Sequence, residues 1–296
     1  MTIETQKYKD TVFRKLFHDK ERLLELYNGV NHSNYDNPDD LEITTLEGNT
    51  FLNMKNDLSF IIDYELSLYE HQSTPCPNIP LRNLEYVASI YRNLITIEET
   101  YKTKKLDIPT PRFITFYNGS TRMEDEKIYK LSDLYHKSTD SPELELIVKV
   151  ININEGHNKE LMDDCKTLKE YSIFVAKVRK CIKEDENNVK VAITRAVDEC
   201  INEDILKDFL LENREEVIEM GVLGYNAEKH LQVIQDESYD DGVKVGIELG
   251  SDKRDEELDK LYTWLFANNR GSDVQKASSD SEYKKKLFDE YEALSK

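Results

Sequence analysis

The sequence predicts an α/β protein with a mixed central sheet, its elements running helix, three strands, helix, strand. Residues 56–72, NDLSFIIDYELSLYEHQ, carry the first observation: Leu58, Phe60, Ile61 and Ile62 stand before the polar Asp63-Tyr64-Glu65, and Leu66, Leu68 and Tyr69 after it. That is the pattern of two strands joined by a tight reversal. Apolar residues fall on both faces, so the hairpin is expected to be central and buried. Helix-period apolar stripes on either side of it are the second observation, and clusters of Asn, Asp, Pro and Gly between the periodic segments are the third.

Taken in order, Val12, Phe13, Leu16, Phe17, Leu23, Leu24 and Tyr27 predict one helix over residues 10–28, with Asp10 as its cap and Asn28-Gly29 as its end. A position beside a metal centre is the other reading of Asp10. Lys7, Lys9, Arg14, Lys15, Lys20 and Arg22 make this helix locally basic, which suits either phosphate contact or a solvated polar face. The turn-rich NHSNYDNPDD reads as a surface loop, and Leu41 to Thr45 as a strand leading into the hairpin. After Pro77 and Pro80, the stripe Leu84, Val87, Ala88, Tyr91, Leu94 and Ile95 predicts a helix over 81–100. Strands follow at 112–117, ended by Asn118-Gly119, and at 143–153; two or three amphipathic helices fill 161–211. In 241–250 glycine recurs every fourth residue, as a close helix-helix contact or a flexible linker would use it. A small helical pair is expected beyond, about a hinge at 268–271. The division is 1–220 for the α/β domain and 221–296 for an acidic helical C-terminal extension.

The candidate site comes from the hairpin register. With the reversal centred between Asp63 and Tyr64, residues whose numbers sum to 127 face each other, so Asp57 lies opposite Glu70. Gln72 then shares the face of Glu70, because side chains alternate along a strand; His71 points to the other face, to pack away from the site. Two carboxylates about 5 Å apart repel by about 3 kcal/mol at an effective dielectric near 20, and burial adds to that. A divalent cation removes both costs: Mg²⁺ is held by one or two carboxylates with water and phosphate oxygens. The alternative is that Asp57 and Glu70 end their strands in solvent and never meet. His157, in the polar Asn154-Glu155-Gly156-His157-Asn158, reads as a turn residue.

The order Asp57, Glu70-His71-Gln72, then Pro77 to Arg82 resembles the PD-(D/E)XK nuclease superfamily, and within it the Rpn-type branch of recombination-promoting nucleases and transposase-like proteins. The opening Asp10-Thr11-Val12-Phe13-Arg14-Lys15-Leu16-Phe17 and the later Pro111 to Gly119 extend the resemblance, which runs over residues 7–235. It implies a restriction-endonuclease-like core and a metal-dependent DNA endonuclease linked to recombination or mobile elements, with Asp57 and Glu70 as ligands of Mg²⁺ (or Mn²⁺) and Asp57, Glu70 and Gln72 as the catalytic set. Gln72 stands where the superfamily carries lysine: it can orient water but brings no charge. Lys55, opposite Gln72 by the same register, is expected to supply that charge. Arg82 and Arg92 are placed to flank the site, for phosphate or for surface ion pairs.

Composition restrains this reading. The formal charge is −19, divided as −7 over residues 1–150 and −12 over 151–296, whereas sequence-independent nucleic-acid affinity normally comes from a basic surface. The rival is therefore a catalytically degenerate nuclease fold that acts as an interaction protein, its acidic C-terminal helix offered to a basic partner or used for dimerisation; on the nuclease reading the C-terminal helical pair is open either to self-association as a homo-oligomer or to target choice. No run nears eighteen apolar residues and the N-terminus has no apolar signal region, which predicts neither export nor a membrane span. Cys76, Cys165, Cys181 and Cys200 show no paired or zinc spacing, as suits thiols in a reducing cytoplasm.

Overall fold

The computed structural model describes residues 8–45, 56–185, 188–222 and 257–294. The chain divides into two compact units, Met1–Glu228 and Lys229–Lys296. The first is an α/β unit around a mixed six-stranded sheet, ordered β1-β2-β3-β4-β6-β5. Its strands are β1 (Glu42–Ile43), β2 (Leu58–Ile62), β3 (Glu65–Gln72), β4 (Thr110–Tyr117), β5 (Glu126–Lys130) and β6 (Ile147–Asn152). The first three pair antiparallel; β3, β4 and β6 run parallel, and β5 closes one edge antiparallel to β6.

The hairpin register is the expected one. Leu58 faces Tyr69 and Ile62 faces Glu65, so each pair sums to 127. Asp63 and Tyr64 form the two-residue loop with φ of 47° and 61°, the positive-φ pair that matches strand twist in a tight hairpin. Both strands are buried on both faces. On one face Leu58, Phe60, Ile62, Tyr69 and Phe116 join the main core with α1 (Tyr8–Phe17), α2 (Lys20–Asn31), α6 (Lys166–Glu184) and α7 (Val189–Asn202). On the other, Leu66, Leu68, Tyr117, Val148 and Val150 pack with Ile79, Val87 and Ile90 of α3 (Ile79–Leu94). Short helices α4 (Ile97–Thr100), α5 (Lys159–Asp164) and α8 (Lys207–Glu212) complete the connections.

Several boundaries differ from expectation for local reasons. The single helix over 10–28 is two: Asp19 interrupts it and caps α2, accepting from the Arg22 N–H at 3.0 Å. Asp10 consequently lies inside α1 and does not cap it. Gly29 does not end α2 but lies within it, where a Cβ would sit 3.2 Å from Cys165 Cβ and from Leu161 Cδ1; the left-handed His32 ends the helix. The helix over 81–100 breaks at Ile95, and Thr96 and Glu99 form a capping box that starts α4. Strand β5 is absent from the sequence reading because its EKIYK exposes all but Tyr129. The basic set on the first helix is spread over two: Lys15 pairs with Glu216, Lys20 with Asp39, and Arg22 stacks over the Phe209 ring. Lys55 and the glycine run 241–250 lie outside the described residues.

In the second unit residues 257–267 are helical, followed by helices Gly271–Ala277 and Ser281–Leu294, three where a pair was expected. Leu261, Leu265, Ala277 and Leu287 form its small core. Arg270 ties it together, bonding Asp273 and Glu290 at 2.7 Å each and lying over the Trp264 ring.

Candidate functional site

The parallel strands β3 and β4 end side by side, and ligands of open α/β sheets gather outside such carboxyl ends. Glu70 and Gln72 stand at the end of β3, and Asp57 immediately precedes β2 on the neighbouring strand. The register brings the two acids together. Glu70 Oε1 accepts from the Asp57 N–H at 3.2 Å, and Asp57 Oδ2 accepts from the His71 N–H at 2.8 Å. Each carboxylate is thus pinned by backbone near the other, and the reading in which they end in solvent and never meet does not hold. Glu70 is only 5% exposed.

Helix α3 covers this corner, its N-terminal turns set by Pro80 at the start of the helix and its inward stripe by Ile79, Asn83, Val87 and Ile90. Arg82 Nη2 lies 3.5 Å from Glu70 Oε2, the one guanidinium contact to the pair among the described residues. Arg92 is exposed and pairs with no acid among those residues. Tyr86 hangs over the same place: burial pushes its hydroxyl pKa up to about 12, and the nearby charges of Glu70 and Asp57 push the same way, against Arg82.

Several polar atoms here have no hydrogen-bond partner among the described residues. Gln72 Nε2 and Arg82 Nε are buried and find no hydrogen-bond partner among the described residues, and the same holds for both side-chain polar atoms of Asn83 and for Thr115 Oγ1. Thr115 faces Glu70 across the β3–β4 ladder. Buried polar groups are ordinarily satisfied, so two unpartnered donors beside two carboxylates call for an oxygen-rich guest.

The donor set suits Mg²⁺, which takes hard oxygen ligands and needs only one or two carboxylates. Among the described residues no group of three or more His, Cys, Asp or Glu side chains gathers to hold a metal. His71 has the expected opposite orientation: it is buried on the other face, stacked on Phe13 with 5.0 Å between centroids, its Nε2 3.1 Å from the Tyr171 hydroxyl. His157 lies in the expected turn but does have a partner, Asp125, at 2.6 Å.

Sequence reasoning missed Tyr86, Asn83 and Thr115. Tyr86 falls outside the apolar stripe and reads as a surface residue; Asn83 sits within the stripe, and a polar residue at a core position was the signal that could have found it. Burial pushes the Cys165 and Cys200 thiols up to about 12, which leaves them as packing groups. No helix among the described residues is long and apolar enough to cross a membrane. Comparison with protein-family models, with curated proteins and with solved structures gives no match.

Proposed function

We propose that the first unit is a restriction-endonuclease-like nuclease domain that hydrolyses DNA phosphodiesters at Asp57, Glu70 and Gln72 with Mg²⁺ or Mn²⁺. The observation that carries this reading is the conjunction of a buried Glu70 bonded to the Asp57 backbone with unpartnered donors on Gln72 and Arg82. The order of elements supports it as well, three antiparallel strands followed by a crossover helix and a parallel fourth.

Asp57 and Glu70 would hold the metal, which would lower the pKa of a bound water and offset charge on the scissile phosphate. Gln72 Nε2 donates to that water or to a phosphate oxygen and so fixes its line of attack. Arg82 Nε donates to the phosphate while its Nη2 stays beside Glu70, which supplies near the reacting centre the positive charge that Gln72 lacks. Tyr86 stays protonated at neutral pH and can donate without adding a charge. A role in recombination or mobile elements, inside the cell, follows from the family resemblance alone.

Nicking of supercoiled plasmid in Mg²⁺, Mn²⁺ and EDTA tests the reading, with Asp57→Ala and Glu70→Ala alongside. Metal-dependent nicking lost in both variants is the expected result; nicking that survives in either variant refutes the assignment. The second reading, an interaction protein on a degenerate nuclease fold, draws on the charge of −19 and on the Arg82–Glu70 contact, which already neutralises one carboxylate. A folded protein that neither nicks nor gains thermal stability from Mg²⁺ would favour it.

A further inference from the structure

The carboxyl edge of the parallel strands continues past Gln72 into a second feature. The Asn118 N–H donates to the Gln72 carbonyl at 2.9 Å, and the Asn118 carbonyl accepts from Arg179 Nη2 of α6 at 2.5 Å. Arg179 Nη1 reaches the Asn154 side chain at 2.9 Å, beyond the end of β6. Two hydrogen bonds therefore lead from the candidate catalytic glutamine to an open cavity of ≈ 460 Å³ lined by Asn154, Glu155, Ala176, Arg179, Lys180, Lys183 and Glu184.

The charges around that cavity are uneven. Lys180 and Lys183 are exposed and form no ion pair among the described residues, while Lys177 on the same helix is bound to Glu199 and Glu203. Of the two acids, Glu184 is bound to Arg195 at 2.6 Å, leaving Glu155 as the lining acid without an ion pair among the described residues beside Lys180 and Lys183. Lys180 and Lys183 are one helical turn apart, about 5–6 Å between Cβ atoms. The link itself holds unsatisfied polarity: Asn118 is 1% exposed, and neither its Nδ2 nor its Oδ1 has a partner among the described residues. Gly119 lets the chain pass close to Ser73, since a Cβ there would fall 2.1 Å from the Ser73 carbonyl oxygen.

We infer that Arg179, Lys180 and Lys183 form a phosphate-binding groove that holds the DNA backbone flanking the cleaved bond. The choice of ligand rests on the nuclease reading, and it answers the main objection to that reading: a chain of charge −19 needs a local basic surface at the site. The carboxylates lie on one face of the sheet and α6 on the other, so bound nucleic acid would straddle the carboxyl edge.

The test uses the full chain, a fluorescein-labelled 20-base-pair duplex and anisotropy over a salt series, in a Glu70→Gln background so that nothing is cut. Lys180→Glu with Lys183→Glu is compared with Lys104→Glu with Lys137→Glu, exposed lysines that do not line the groove and give the same change of net charge; Lys180→Gln with Lys183→Gln guards against misfolding from reversed charge. The groove variants are expected to weaken binding about tenfold or more at low salt and to flatten the plot of log K against log salt by about 1.8, near 0.9 for each lost phosphate contact. With Glu70 restored, the glutamine pair is expected to raise KM for nicking and leave kcat unchanged. Equal losses in groove and control variants overturn the inference while leaving the nuclease reading untouched, as does absence of duplex binding at low salt by a protein that still nicks. Lysine-dependent binding by a protein that never nicks supports the groove and sinks the nuclease.

Discussion

Glu70, His71 and Gln72 are consecutive residues of one strand, yet their side chains meet opposite surroundings on its two faces. His71 is fully accommodated: its ring stacks on Phe13, its Nε2 meets the Tyr171 hydroxyl, and it is 2% exposed within an aromatic core. On the other face Glu70 is almost as buried but lies beside a second carboxylate, and Gln72 next to it has a donor with no partner among the described residues. Buried polar groups are costly unless satisfied. His71 is satisfied within the core; the Gln72 donor, beside two carboxylates, is left for a partner that the described residues do not supply.

If that distinction is right, three neighbouring substitutions separate function from stability. Glu70→Gln has the largest effect, a loss of nicking of about 10³-fold or more, equivalent to about 4 kcal/mol of barrier. It is isosteric and keeps an oxygen for the Asp57 N–H, so Tm in EDTA should change little, while the rise in Tm with added Mg²⁺ should disappear. His71→Ala inverts this pattern: it leaves a cavity against Phe13 and removes the ring nitrogen 3.1 Å from the Tyr171 hydroxyl, costing about 3 kcal/mol. Tm should fall by about 6–12 °C, with the metal response retained. Gln72→Met comes next, removing the unsatisfied donor at similar volume; nicking should fall about 10²-fold while stability rises by about 1 kcal/mol. A Gln72→Met protein that loses stability would mean that Gln72 is part of the architecture like His71, and would break the contrast.

The sequence discloses the half of this contrast that depends on local rules. Period-two patterning around Asp63-Tyr64 sets the register, and the register alone puts Asp57 against Glu70 and turns His71 away. What it does not disclose arises from packing between distant segments. Arg82 can be expected near the site, but Tyr86 reads as surface until α3 is laid across the sheet, and Thr115 becomes a neighbour of Glu70 only through parallel pairing of β3 with β4. The divided first helix was misread for a related reason, since the apolar period runs on through Asp19 and Gly29 while capping and close contact with Cys165 decide where the helices begin and end.

Tyr86 gives the smallest effect and the finest test of the face it covers. Burial, with Glu70 and Asp57 nearby, pushes its pKa up to about 12, whereas in the unfolded chain it titrates near 10. Between those values the native state holds a proton that the unfolded state releases, so Tyr86 stabilises the fold below about pH 10 and that contribution is lost as pH rises toward 12. Tyr86→Phe has no proton to hold. At pH 7 its stability should differ by less than about 1 kcal/mol, but over pH 10 to 12 its stability should fall less steeply, by up to about 1.4 kcal/mol per pH unit. Urea unfolding at pH 9, 10 and 11 measures the difference. Tyr27, also pushed up to about 12, keeps some alkaline slope in both proteins, so the change in slope is the quantity that matters. Identical slopes would mean that Tyr86 is hydrated, and that the face it covers beside Glu70 is open to water.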